Sequence, residues 1–151
     1  MSAPVSCHEC GADWHDGQTC TDHFHTLLFW EFDHKLFDVH YLLVASYHMQ
    51  HPALYSPEAL KEAPGLMIGW LEQGKHPHQT RREFGPAVQS DVRPFRITGT
   101  PEHHGAYMHP VTWTMRVGDV VRRGIDAYYD STRAWAASIL ASLRASGNMM
   151  A

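Results

Sequence analysis

Three cysteines near the amino terminus constrain this chain more than any other feature of its sequence. Cys7 and Cys10 are separated by two residues and followed by Gly11, and the third cysteine is Cys20. A Cys-x-x-Cys-Gly turn brings two thiolates to one tetrahedral zinc ion, and the glycine permits the tight return of the backbone. The spacing therefore predicts a zinc knuckle in which these cysteines are three of the four ligands.

Composition narrows the class of protein. With 151 residues, of which 44% are hydrophobic, we expect one domain that spans residues 1–151. The formal net charge of -4 argues against a protein that binds nucleic-acid backbones, which needs clustered Lys and Arg. The odd number of cysteines, the lack of a signal-peptide pattern and the lack of a membrane-spanning apolar run predict a cytoplasmic protein.

Hydrophobic periodicity predicts a mainly α-helical fold. A first helix is expected over residues 21–36, and a second helix over residues 38–51 ends before a proline. A third helix should run over residues 57–74, with a proline at its first position and a glycine at its end. Pro64 and Gly65 lie inside this third segment and should kink or split it.

The second half of the chain is less regular. The pattern of residues 75–116 predicts a long irregular loop. Two strand-like pieces within it, at 95–98 and 111–114, could pair as one short β-hairpin. A short helix is expected at 117–123 and a last helix at 125–146. Four residues of this last helix lie at core spacing: Tyr128, Trp135, Ile139 and Leu143. The predicted architecture is a small antiparallel helical bundle that carries the zinc knuckle.

Helix geometry predicts the fourth zinc ligand. The first two helices are joined by a short turn, so they should lie antiparallel. At about 1.5 Å per residue, the second helix returns by roughly 20 Å, which places its end beside Cys20. His51 is the preferred fourth ligand because it shares a helix face with Tyr47 and Val44, which the apolar pattern turns inward. The alternatives that stay open are a water molecule and three other histidines, His48, His23 and His25.

Two functions are compatible with such a site. A closed Cys3His site leaves no coordination position for water or substrate, which indicates structural zinc in a binding or accessory module. The alternative is a metal-dependent enzyme of hydrolase or thiol-transferase type, in which His40, His104 and His109 gather in the bundle interior beside His103. A variant of it puts water at the fourth zinc position and makes His51 a proton acceptor. The sequence identifies no partner and no substrate.

Several segments resemble an uncharacterised bacterial family, a domain of unknown function. These segments are CHECGADW, TCTDHFHTLLFWEF, VHYLLVASYHMQHPALYSPEAL, GAYMHPVTWTMRVGDVV and TRAWAASIL. The most specific part is a Tyr-x-x-Gln-His-Pro signature that begins at Tyr47. The resemblance implies a small, mostly helical intracellular protein, and it carries over His40, His51 and the three cysteines. Ala45 and Tyr128 stand where many members have an acidic residue and a histidine.

Overall fold

Five α-helices form the part of the chain that the structure describes. This computed structural model describes residues 5–14, 17–77 and 96–149. The helices are α1 (Cys20–His34), α2 (His40–Gln50), α3 (Pro57–Glu72), α4 (Val117–Arg123) and α5 (Tyr128–Ala145). Two 3-10 turns, Pro52–Leu54 and Ile125–Ala127, follow α2 and precede α5. The mainly helical fold predicted from the periodicity is confirmed.

A capping box sets the start of α1. The backbone N–H of Asp22 donates to the Thr19 hydroxyl over 3.1 Å, and the Asp22 carboxylate accepts from the backbone N–H of Thr19 over 2.9 Å. The two bonds satisfy backbone donors that the first turn of a helix leaves without partners. The cap therefore places Cys20 in the first turn of α1, where its side chain is buried.

Helices α1 and α2 lie antiparallel, as the short turn between them predicts. Side-chain contacts join the two helices at three levels, and each step back along α1 is matched by an equal step forward along α2. Three pairs share this register: Glu31 with His40, Phe24 with Tyr47, and Cys20 with His51. The end of α2 therefore returns to the start of α1, which is the geometry that the fourth-ligand prediction requires.

Helix α3 differs from the prediction at its proline. Its N-cap Ser56 accepts a hydrogen bond from the backbone N–H of Ala59 over 3.2 Å, and the helix then continues to Glu72 through Pro64. The third helix, expected to kink or split at Pro64 and Gly65, is therefore not split. A proline removes one helical hydrogen bond, but buried side chains on both sides of it pack into the core and keep the helix in one piece.

The loop before α4 docks on the segment between α2 and α3 instead of forming a hairpin. The N–H of Ser56 donates to the carbonyl of Ile97 over 2.8 Å, and the N–H of Gly99 donates to the carbonyl of Leu54 over 3.0 Å. Within the described residues only isolated β-bridges occur, so the expected strand at 111–114 is not formed. The other expected strand begins outside the described residues.

Helix α5 closes the core. It packs on α2, α3 and α4, and α4 packs on α1. Its four predicted core residues are at most 1% exposed, which confirms that prediction: Tyr128, Trp135, Ile139 and Leu143. Among the described residues, no helix is both long and apolar enough to cross a bilayer.

A buried amide ties the helices to the loop before α4. The Gln50 side chain donates to the carbonyl of Met115 over 2.7 Å and accepts from the indole N–H of Trp135 over 3.1 Å. Because both ends of the amide have partners, its burial carries little desolvation penalty. The amide joins α2, α5 and the chain entering α4. It thereby fixes the position of His51, the next residue.

Candidate metal centre

Four side chains that the sequence singles out as metal ligands converge at the start of α1. Cys7, Cys10, Cys20 and His51 each offer one ligand atom, and these atoms all lie within 4.8 Å of one another. Two thiols come from the N-terminal knuckle, the third from the first turn of α1, and the imidazole from the residue that ends α2. Across the described ranges, no other group of three or more His, Cys, Asp or Glu side chains is arranged in this way.

The knuckle is a tight turn closed by its own backbone. The N–H of Gly11 donates to the carbonyl of Cys7, and the N–H of Cys7 donates to the carbonyl of Ala12, both over 2.9 Å. Gly11 has a φ of 74°, a conformation that residues with a Cβ adopt only at a cost. The backbone N–H of Cys10 also points at the Cys7 sulfur over 3.5 Å. The turn thus brings the first two thiols to one side.

Side chains distant in the sequence hold the knuckle against the helices. Arg116 donates from Nε to the carbonyl of Cys10 over 2.7 Å, and the indole N–H of Trp14 donates to the Cys20 sulfur over 3.4 Å. The carboxylate of Glu9 accepts from the backbone of the 3-10 turn after α2 over 3.2 Å. Two donors and one acceptor thus fix the knuckle and the Cys20 sulfur in position, as hydrogen bonds around metal ligands commonly do.

The orientation of His51 follows from one hydrogen bond. Its Nδ1 lies 2.7 Å from the carbonyl oxygen of Tyr47, which can only accept. In the neutral ring the proton is therefore on Nδ1 and the lone pair is on Nε2. The Nε2 atom is buried and has no hydrogen-bond partner among the described residues. A buried lone pair without a donor is the arrangement that a metal-binding histidine needs.

The side chains of the cluster strongly shift one another's pKa values. Hydrogen bonds from Cys10 and Cys20 hold the pKa of the Cys7 thiol far below its usual range. Hydrogen bonding to Cys20 and Cys7 raises the pKa of the Cys10 thiol well above its usual range. Burial alone would lower the pKa of His51, but the neighbouring Cys20 and Cys7 side chains outweigh it and raise the pKa to about 10. The cluster therefore stabilises negative charge on the Cys7 sulfur and positive charge on the His51 ring, and it disfavours negative charge on the Cys10 sulfur.

The distances suit a small tetrahedral ion. The Cys10 and Cys20 sulfurs are 3.5 Å apart. In a tetrahedral zinc site with bonds of about 2.3 Å, two sulfurs are separated by about 3.8 Å. This pair of sulfurs is thus within a few tenths of an ångström of the zinc-site spacing, and the four atoms together could hold a metal ion.

The other histidines weighed as fourth ligand do not join this group. His48 donates from Nδ1 to the carbonyl of Val44 over 2.8 Å, and its ring stacks on Tyr55 at a centroid distance of 5.0 Å. His25 is exposed on α1, and His23 is buried on the same helix. His51 is therefore the histidine that the fold places beside the cysteines.

The histidines considered for a second metal site are dispersed. His103 pairs with the carboxylate of Glu58 at the start of α3 over 2.9 Å. His104 lies within hydrogen-bond distance of the next carbonyl, and the backbone of His109 contacts the C-terminal segment. His40 lies at the opposite end of the α1–α2 pair from the cysteines. The described residues do not bring these histidines together as one metal-binding group.

Sequence reasoning missed the groups that surround the candidate ligands. The hydrogen bond between His51 and the carbonyl of Tyr47 could have been anticipated, because a side chain at the end of a helix often reaches the carbonyl one turn earlier. Arg116 lies 106 positions away from Cys10, so no local pattern links them. Trp14 carries no marker that distinguishes a sulfur-contacting indole from an ordinary apolar residue.

The fold and the cluster define a class: a mainly helical protein with a Cys3His cluster that could hold a metal ion. The chain belongs to the family of unknown function DUF5946, whose model matches residues 5–144. The resemblance to an uncharacterised family is thereby confirmed, and the match includes all four cluster residues. No curated protein matches this chain, and no solved structure does.

Proposed function

We propose that this protein binds one structural zinc ion through Cys7, Cys10, Cys20 and His51, and that it acts as a binding or accessory module. The observation that carries the proposal is that a ring nitrogen of His51 lies within 4.8 Å of the three thiol sulfurs, while its Nε2 atom is buried and lacks a hydrogen-bond partner among the described residues. A ring fixed with its lone pair toward three thiols is suited to complete a tetrahedral site.

The donor set favours zinc over other divalent ions. Three thiolates and one imidazole are soft or borderline ligands, which suit zinc, whereas calcium and magnesium require oxygen. The ligand spacing around the Cys-x-x-Cys-Gly turn is also typical of zinc knuckles. The three cysteines carry no disulfide, so all three sulfurs are available as thiolates in a reducing compartment such as the cytoplasm.

A structural role follows from the closed geometry. Four protein ligands fill a tetrahedral ion, and Cys10, Cys20 and His51 are at most 6% exposed. No coordination position is then left for water or substrate. Binding free energy becomes folding free energy, because the zinc joins the knuckle to α1 and α2, and the unfolded chain does not hold these ligands together. We therefore propose that the metal stabilises the fold and takes no part in catalysis.

Cobalt substitution tests the proposal. The untagged full chain is purified, its zinc content is measured by elemental analysis, and the zinc is exchanged for cobalt. We expect one zinc per chain and a cobalt absorption spectrum typical of four-coordinate thiolate sites that does not change from neutral to alkaline pH. A five-coordinate or pH-sensitive spectrum would instead show a metal-bound water and support the catalytic alternative. A chain without bound metal would refute both hypotheses.

A further inference from the structure

The opposite end of the α1–α2 pair carries a second arrangement of polar side chains, made of Glu31, His40 and Tyr128. We propose that Glu31 orients the His40 ring, and that the exposed Nε2 of His40 accepts a proton from a ligand hydroxyl or thiol. This inference does not depend on the zinc proposal, because the two sites lie at opposite ends of the two helices.

The carboxylate of Glu31 is the unusual element of this arrangement. Glu31 is only 2% exposed although it is a carboxylate in the last turn of α1, on the face that also buries Leu27. A buried carboxylate is unfavourable unless its oxygens are paired. The fold must therefore supply partners for both oxygens, and it does so from two other helices.

Each oxygen of Glu31 has one donor. The Tyr128 hydroxyl donates to Oε2 over 2.7 Å, and His40 Nδ1 lies 2.7 Å from Oε1. Burial and the adjacent carboxylate raise the pKa of the Tyr128 hydroxyl well above its usual range, so it stays a donor. Because an ionised carboxylate only accepts, His40 presents Nδ1–H to it. The lone pair of the neutral ring is then on Nε2.

The Nε2 side of His40 is open. The His40 side chain is 51% exposed, and within the described residues Nε2 has no hydrogen-bond partner. The backbone N–H of His40 donates a hydrogen bond to the carbonyl of Phe37, whose side chain is 54% exposed. Tyr129, which hydrogen bonds Asp38, lies beside Tyr128 with ring centroids 6.1 Å apart. The Nε2 lone pair of His40 is therefore accessible to a small ligand from solvent.

The proton transfer that this geometry supports is simple. The proton of a ligand O–H or S–H moves to Nε2, and the ligand keeps the electron pair as an oxyanion or thiolate. The imidazolium that forms keeps its Nδ1–H on Glu31, whose negative charge compensates the new positive charge. The Tyr128 hydroxyl holds the other oxygen of the carboxylate in place. A base oriented by a third group is the common arrangement in acid–base catalysis.

The chain contains a matched internal control. His34 lies 3.3 Å from Asp33 at the end of α1, and both side chains are 54% exposed. His34 and His40 are therefore about equally accessible and each has a carboxylate neighbour. Only the carboxylate beside His40 is buried and held by a second donor. A difference in reactivity between the two rings would thus report the buried carboxylate and not exposure.

The experiment measures acylation of each ring in the full chain as purified. Diethyl pyrocarbonate is added at about pH 8, where imidazoles are mostly neutral, and modified histidines are quantified by peptide mass spectrometry. The ring nitrogen attacks a carbonyl carbon of the reagent, and ethyl carbonate leaves and decomposes to ethanol and carbon dioxide. We expect His40 to react on the order of tenfold faster than His34, since a charge-assisted hydrogen bond increases the electron density on Nε2.

Two further measurements make the outcome decisive. In Glu31→Gln, the rate at His40 should fall to that of His34, whose own rate should not change. In wild-type protein, a long-range proton–nitrogen NMR spectrum should show neutral His40 protonated at Nδ1, a result that does not depend on whether the variant folds. Equal rates at His40 and His34 in the wild-type protein, or protonation of neutral His40 at Nε2, would overturn the proposal.

Discussion

Replacing His51 by alanine should release the metal, whereas replacing His48 should not. The two histidines lie three residues apart at the end of α2. Each donates from Nδ1 to a carbonyl one turn earlier, His51 to Tyr47 over 2.7 Å and His48 to Val44 over 2.8 Å. They differ in that His51 belongs to the cysteine cluster and His48 does not. His48→Ala is therefore a control for the loss of a ring and of its backbone hydrogen bond.

The expected magnitude follows from sharing the binding energy among the ligands. Structural zinc contributes about 10–16 kcal/mol of apparent binding free energy. One ligand of four then carries about 2.5–4 kcal/mol, so zinc affinity should fall roughly 100- to 1,000-fold in His51→Ala. At a fixed excess of free zinc, the free energy of unfolding should fall by a comparable amount, because zinc binds the folded chain preferentially.

Competition with a chromophoric chelator measures the affinity, and thermal unfolding with and without added zinc measures the linked stability. The wild-type protein, His51→Ala and His48→Ala are compared at equal protein concentration, and Cys20→Ser serves as a variant that should also lose metal. Wild-type zinc affinity in His51→Ala would show that this imidazole is not a ligand. An equal loss in His48→Ala would show that packing at the end of α2, and not coordination, explains the effect.

Three further predictions test how the fold supports this site. Gly99→Ala should destabilise the protein by about 1–3 kcal/mol or more, because a Cβ there would lie 2.3 Å from a backbone oxygen. Gly65→Ala has open space around the new Cβ and should stabilise the protein by about 0.5–1 kcal/mol. Urea denaturation of both variants checks the two signs, and equal effects would contradict the steric argument. Thr19→Ala should cost about 1 kcal/mol, because it removes the N-cap of α1, and a thermal melt identical to that of the wild-type protein would show that the cap is dispensable. The two hydrogen bonds from Arg144 lower the pKa of Glu72 below its ordinary 4.5. The pair therefore stabilises the fold above that pH, and the greater stability of the wild-type protein over Glu72→Gln should disappear as the pH falls below it. A stability difference that persists in acid would exclude this pair as its cause.

The Tyr-x-x-Gln-His-Pro signature has a structural explanation. The carbonyl of Tyr47 orients the His51 ring, and the Gln50 amide ties α2 to α5 and to the chain entering α4. His51 ends the helix and turns its ring toward the cysteines, and Pro52 begins the 3-10 turn that the knuckle contacts through Glu9. The signature thus combines one candidate ligand with residues that set its position.

The sequence predicted much of the candidate site because regular geometry connects its residues. The cysteine spacing specifies a turn, and the helical pattern that begins directly after Cys20 places this cysteine at the start of the first helix. A fixed rise per residue then places the end of an antiparallel second helix beside that cysteine, which identified His51. Core spacing in the last helix was equally direct, because a 3.6-residue period determines which face is buried.

By itself the sequence determined which of the described segments are helical, where each begins to within three residues, and which histidine returns to the cysteines, because each of these follows from local spacing and helix geometry. Only the tertiary structure decided the partners of Glu31, the contact of Arg116 with the knuckle and the continuity of α3 through Pro64. Glu31 and Tyr128 are 97 positions apart in the sequence. Such contacts form only when several elements pack at once, and a local pattern shows that a face is buried without showing what covers it.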